Sequence, residues 1–383
     1  MVSAFEPTIS FEGKQLLVDL LDRNENYDRF ATHIQRYTFS VSTAFDVPEK
    51  NDDNLRAVVQ IMKEFGETTT PDAFPTNSWP WLGYLPTALQ WWRPRAVKYY
   101  ENQRGLWLGM WENLKAKAAA GAAPSCFAQR LLETQDIATS DLQASFLAGT
   151  MIEAGLDTSA GALNLLILFF MANPQAQQRV AEQVRQVVGQ DRLPSAVDLA
   201  RIPLIRSSVK EIFRIAPLMK YGTPHYVTRD IQYKSFNIPR GNFVVINQNA
   251  LHFDESHFPE PFTFIPDRYL GHPEGAGHYA HSQDPNERDH YNFGAGRRIC
   301  PGIHLAELSI ELTLARILWA FDIVEPGHDE QSPGFKITDG HFVDGANKAA
   351  KPFQANFRCR SHDMAELIRK EWKMTQAKDL KVL

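Results

Sequence analysis

Ten residues constrain what this chain can fold into more than any other stretch: Phe293-Gly294-Ala295-Gly296-Arg297-Arg298-Ile299-Cys300-Pro301-Gly302. They set one cysteine on a loop hinged by Gly294 and Gly296, beside Arg297 and Arg298, just ahead of an apolar helical pattern from about Gly302 to Phe321. Glycine reaches backbone angles that other residues resist, so the loop can close tightly against a flat object. Gly302 keeps side chains away from the sulfur. Neighbouring arginines and the N-terminal amides of the following helix both favour a thiolate at Cys300.

A buried, inert thiol is the commoner fate of an intracellular cysteine, so the rest of the composition matters. The 383 residues contain three cysteines, Cys126, Cys300 and Cys359, with no CxxC pair. Such a sparse, odd set argues against a disulfide framework and for a reducing, intracellular compartment. A formal net charge of −5 without a long basic block argues against nucleic acid as a partner. A lone thiolate on a glycine-hinged loop suits axial ligation of haem iron, where it pushes electron density toward bound oxygen.

The spacing of phenylalanine, two glycines, arginine, cysteine and glycine resembles the haem-binding loop of the cytochrome P450 superfamily. The lead-in Arg288-Asp289-His290-Tyr291-Asn292 resembles its fungal microsomal members. The resemblance implies that Cys300 is the proximal ligand of a haem b iron and that Arg298 pairs with a haem propionate. Phe293 and Gly294 would pack at the same cofactor.

Ser140 to Asn173 reads as one helix of roughly 50 Å. A capping box at Ser140 and Gln143 opens it, and Pro174 ends it. Within it, Ala154-Gly155-Leu156-Asp157-Thr158-Ser159 is a poor helix former and predicts a local defect. The hexapeptide resembles the family's oxygen-binding groove, which implies that Thr158 hydrogen-bonds bound dioxygen and that Asp157 relays protons. Glu211 and Arg214 share a helix face, and Pro266-Asp267-Arg268-Tyr269 resembles the family's second arginine element. A structural network Glu211–Arg214–Arg268 follows from the resemblance. So does a pocket lined by Met219 to Pro224 and Asp339 to Val343, with His225 reaching a propionate.

Helical periodicity also marks Lys14 to Asp22, Tyr27 to Phe45, Leu55 to Phe65, Val97 to Ala119, Gln175 to Val188 and Ile205 to Ile215. Val227-Thr228, Ile231 to Tyr233 and Phe243 to Ile246 read as strands. Trp79, Trp81 and Tyr84, in a proline-rich loop, are expected in the core. Trp91 to Arg95 matches the family's Trp-x-x-x-Arg propionate contact. It follows a proline-rich loop and contains Pro94, so it is read as a coincidence without a role. The longest apolar run, Leu165 to Ala172, is too short to span a bilayer, and the tail from Glu366 is expected to be solvated.

The expected architecture is mainly α with small β-sheets, a single cytochrome P450-like domain over 1–383. The family's membrane anchor, first small sheet and first helices are not recognised ahead of Lys14. The fold is therefore expected to be truncated at its N-terminus, with one haem edge less covered and attachment to the endoplasmic reticulum membrane weak or lost. The resemblance implies a haem-dependent monooxygenase that inserts one oxygen atom from O2 into an apolar organic substrate, in fungal secondary metabolism, with electrons from an NADPH-dependent reductase. Two other readings stand beside it: a truncated non-catalytic haem-thiolate remnant that binds haem poorly or acts only through protein contacts, and a haem-thiolate isomerase or dehydratase, against which Asp157 and Thr158 argue.

Overall fold

The computed structural model describes residues 5–22, 30–43, 52–68, 72–123, 126–134, 140–327, 334–343 and 348–379. Helices dominate because apolar residues recur at helical spacing along most of the chain. First come α1 (Glu6–Asp22), α2 (Phe30–Thr43), α3 (Asp53–Thr68) and the short α4 (Pro75–Ser78). Next is α5 (Arg93–Ala119), whose Pro94 sits in the first turn, where a missing amide hydrogen is harmless. α6 (Phe127–Glu133) is capped by Cys126, whose Sγ accepts from the Gln129 amide. α7 (Asp141–Ala172) begins at the expected capping box: Gln143 N–H donates to Ser140 Oγ, and Ser140 N–H donates to Gln143 Oε1. α8 (Pro174–Val188) and α9 (Pro203–Ile215) follow.

Four short strands come next: β1 (His225–Tyr226), β2 (Ile231–Tyr233), β3 (Phe236–Ile238) and β4 (Phe243–Val244). β1 pairs with β4 and β2 with β3, both antiparallel, with His225 opposite Val244. The chain continues through α10 (Gln248–His252), α11 (Ala276–Ala280), α12 (Ile303–Ala320), β5 (Phe321–Val324), β6 (Asn356–Cys359) and α13 (His362–Asp379). β5 and β6 form the third antiparallel pair.

The chain forms two compact units, Met1–Ile34 with Thr158–Val382, and Gln35–Asp157. In the first, α12 is buried along its length and packs on α1, α8 and α9. Gly13 lets α1 approach it: a Cβ there would stand 2.7 Å from Arg316 Nη1, which donates to the Ser10 carbonyl at 3.0 Å. The tail is a correction to the sequence reading. Residues 362–379 form α13, which buries Met364 and Ile368 and lies on α1 through Phe11–Trp372 (5.1 Å between rings) and Lys14–Glu371 (3.0 Å). Lys370, Lys373 and Lys378 make the segment look solvated, but an apolar stripe decides its place. α7 is long and apolar enough to cross a membrane, yet its C-terminal half, Leu163 and residues 165–171, is buried in the core of this unit.

In the second unit Phe39, Leu55, Val58, Ile61, Trp107, Ile152 and Leu156 form the core. Two further expectations fail here. α7 stays helical through Ala154–Ser159. Gly155 serves close approach instead, because a Cβ there would lie 2.5 Å from Ser42 Oγ on α2. Gly149 does the same beneath Trp107, whose ring would stand 2.4 Å from an added Cβ. Trp79, Trp81 and Tyr84 are 57%, 61% and 91% exposed, not core residues. Prolines at 75, 80 and 86 cut this segment into turns of three to five residues, too short to bury both sides of a large ring.

Candidate functional site

The cysteine loop is built by backbone constraints. The Cys300 amide donates to the Phe293 carbonyl at 2.9 Å, and the Gly294 amide to the Tyr291 carbonyl at 2.8 Å. Gly294 and Gly296 have φ of +77° and +70°, a region in which a Cβ is disfavoured. The Phe293 ring packs edge-on against Phe213 of α9, 5.2 Å between centroids. Cys300 is followed at once by α12, and the Gly302 amide hydrogen-bonds its sulfur.

The electrostatics differ from the sequence expectation. Burial pushes the Cys300 thiol up, and the Gly302 amide is the one opposing influence. Arg297 and Arg298 are exposed and do not act on it. Desolvation exceeds what a single amide returns, so the protein surroundings favour the thiol over the thiolate.

Cys300 lines a cavity of about 210 Å³ in the first unit. Thr158 of α7, Phe293, Gly294, Arg298 and His225 line the same space. Apolar walls come from Leu218, Met219, Ile246 and Ile310. Of the expected pocket segments, Met219, Gly222 and Thr223 contribute, and none of 339–343 does; Phe342 packs instead toward Phe169. Asp157, the residue before Thr158, is not on the cavity wall. Its residue surface is exposed, yet surrounding protein desolvates the carboxyl and raises its pKa. The lining suits a haem on three counts. It offers one thiol, apolar walls and an arginine. Nothing lies within 4 Å of where a Gly294 Cβ would stand. The carboxamide of Gln248, a lining residue the sequence reading missed, has a buried Oε1 without a partner among the described residues.

Glu211, Arg214 and Arg268 come together in one network. Arg214 Nε and Nη2 each donate to Glu211 at 2.8 Å, and Arg268 Nε donates to it at 3.0 Å. The Ile265 amide also donates to Glu211, at 3.0 Å. Glu211 and Arg214 are fully buried. Arg214 Nη1 further holds the carbonyls of His252 and Pro261.

A buried histidine pair beside this network was not foreseen, because His290 stands in the lead-in Arg288 to Asn292 with no role attached to it and His252 stands in no motif. His252 Nε2 accepts the Tyr291 amide at 2.8 Å, and His290 Nδ1 accepts the Asn292 amide at 3.2 Å. Both nitrogens must be unprotonated to accept. Burial first, then the charges of His290 and Arg214, push His252 down to about 3 from its ordinary 6.5. In that window the unfolded chain takes up a proton that the folded chain refuses. Folding stability is therefore expected to fall as pH drops from 6.5 toward about 3. Urea midpoints at pH 7, 5.5 and 4.5 check this, and a His252→Gln variant, still able to accept the amide, should decline less steeply.

Residues 2–343 match the family model described as cytochrome P450. The chain belongs to the cytochrome P450 family. Among similar proteins, cytochrome P450 monooxygenase pgmC of Aspergillus terreus is 34% identical over 99% of this chain and 70% of its own length. Cytochrome P450 monooxygenase verL of Clonostachys rogersoniana is 32% identical over 99% and 70%. A solved zebrafish cytochrome P450, determined with abiraterone, superposes with a TM-score of 0.71 at 20% identity, over 94% of this chain and 80% of that one, and so shares the fold. This cytochrome P450 is thus a haem-dependent monooxygenase with haem b as its cofactor, taking an apolar substrate, O2 and electrons from a donor.

Proposed function

We propose that Cys300 is the thiolate that holds the haem, that Arg298 and His225 bind its carboxylate edge, and that Thr158 and Asp157 manage proton delivery. The observation that carries this is the placement of Cys300 and Thr158 on the wall of one cavity, although 142 residues separate them in sequence. When bound, the haem supplies reductive activation of O2 and transfer of one oxygen atom, with the second leaving as water. The chain's own residues prepare for this. The Gly302 amide, which hydrogen-bonds the Cys300 sulfur, would steady negative charge there. Thr158 lines the cavity, where its hydroxyl would serve. Asp157, whose pKa burial raises, retains a proton to higher pH than an ordinary carboxyl and passes it on at the next position of α7. Glu211, Arg214 and Arg268 hold the backbone between His252 and Pro261 and take no part in the chemistry.

The apolar walls suit an apolar small molecule, and the fungal relatives favour a secondary metabolite. The electron donor is an NADPH-dependent reductase. The first test is the reduced, carbon-monoxide-bound spectrum of the haem-loaded chain, expected to show the strongly red-shifted Soret band of thiolate ligation. Thr158→Ala should then consume NADPH with product yield per NADPH reduced at least about tenfold. Product yield equal to the unsubstituted protein's would remove Thr158 from proton delivery.

A further inference from the structure

We propose that Gln248 is a positioning residue for the haem, donating a hydrogen bond from its carboxamide to a propionate. This rests on the reading of Cys300 as the iron ligand. Gln248 stands at the first position of α10, is 1% exposed and lines the cavity that Cys300, Arg298 and His225 line. Its Oε1 is buried and finds no partner among the described residues. Its Nε2 donates to no partner among the described residues either, so a nearly buried side chain on the cavity wall keeps a donor that an acceptor entering the cavity would satisfy.

The chemistry of the occupant narrows that partner. The ring nitrogens of haem b are committed to the metal, so its two carboxylates are the polar groups left to meet a side chain. Ionised carboxylates only accept. A half-turn of the terminal torsion exchanges Nε2 with Oε1 without changing the shape of the side chain, so a carboxylate draws the donor end toward itself. The setting makes room for that carboxamide. Gly222 has φ +57°, and a Cβ there would stand 3.2 Å from Gln248 Nε2. His225 lies on β1 and Gln248 just beyond β4, its antiparallel partner, so two neighbouring segments offer polar groups to one cavity.

The test uses the haem-loaded full chain with its Gln248→Leu and Gln248→Glu variants. Haem transfer to excess apomyoglobin is timed at pH 6 and pH 8, reduced carbon-monoxide spectra are recorded, and the haem-free chains are melted. Gln248→Leu is expected to keep the thiolate spectrum and release haem about tenfold faster or more, the loss of one bond to a charged group. Gln248→Glu should release it faster at pH 8 than at pH 6, because two ionised carboxylates then face each other. The haem-free Leu variant should melt no lower than the unsubstituted chain. Release from Gln248→Leu at the unsubstituted rate overturns the proposal. So does a haem-free melting point that falls with the haem retention, which makes Gln248 a packing residue, or a change confined to substrate affinity. A thiolate band missing from the unsubstituted protein overturns the Cys300 reading and this one with it, and it shows before any change at Gln248.

Discussion

Cys300→Ala, loaded with haem and reduced under carbon monoxide, is expected to lose the red-shifted Soret band entirely while the chain stays folded. Alanine offers no electron pair to a metal, and Cys300 is the one cysteine on the wall of this cavity. The loop does not depend on the thiol for its shape. It is closed by the Cys300 amide on the Phe293 carbonyl and by the glycines at 294 and 296, all of which alanine leaves in place. The substitution removes one half-buried sulfur and one amide contact, a change within about 1–2 kcal/mol. Cys126→Ala and Cys359→Ala serve as controls. Cys126 caps α6 and Cys359 ends β6, so neither should alter the spectrum. A red-shifted band that survives Cys300→Ala would remove the residue from the site.

The largest loss of stability is expected from Glu211→Ala. Glu211 accepts from Arg214 twice, from Arg268 and from the Ile265 amide, in a site without solvent. Its removal strands the Arg214 guanidinium as a buried charge, and breaking a buried pair in this way costs about 3–5 kcal/mol. Apolar replacement of both partners would not restore the fold, because Arg214 also satisfies the carbonyls of His252 and Pro261 at 2.9 and 2.7 Å. Arg268 ties down the Pro259 carbonyl at 2.7 Å, so the loss spreads along the segment that feeds the cysteine loop. Arg214→Lys should fail for a related reason: one ammonium cannot span a carboxylate and two separate carbonyls as a forked guanidinium does. The urea midpoints of both variants, measured against the unsubstituted chain, test this. A shift for Glu211→Ala equivalent to less than about 1 kcal/mol would mean that the network carries no structural load.

Much of the site was legible in the sequence because it is made by neighbours along the chain. The turn at Gly294 and Gly296, the capping box at Ser140 and Gln143, and the pairing of Glu211 with Arg214 each need residues within ten positions of one another. Spacing alone constrains such contacts. Other features answer to residues far away. The Cys300 thiol was expected to be acidified by Arg297 and Arg298, and burial reversed the sign because desolvation is set by everything packed around the sulfur. Gly155 looked like a flaw in α7 and proved to be the gap that admits Ser42. The tail looked solvated until α1 gave its apolar stripe a surface to cover. Trp79 and Trp81 looked like core residues, and their unit offers them no opposing face of sufficient length. The sequence by itself therefore determined which chemical groups this cytochrome P450 carries and the local backbone that displays them. Only the tertiary structure decided which of them are stripped of water and which, like Gln248, are left facing a cavity, because burial belongs to segments brought together from distant parts of the chain.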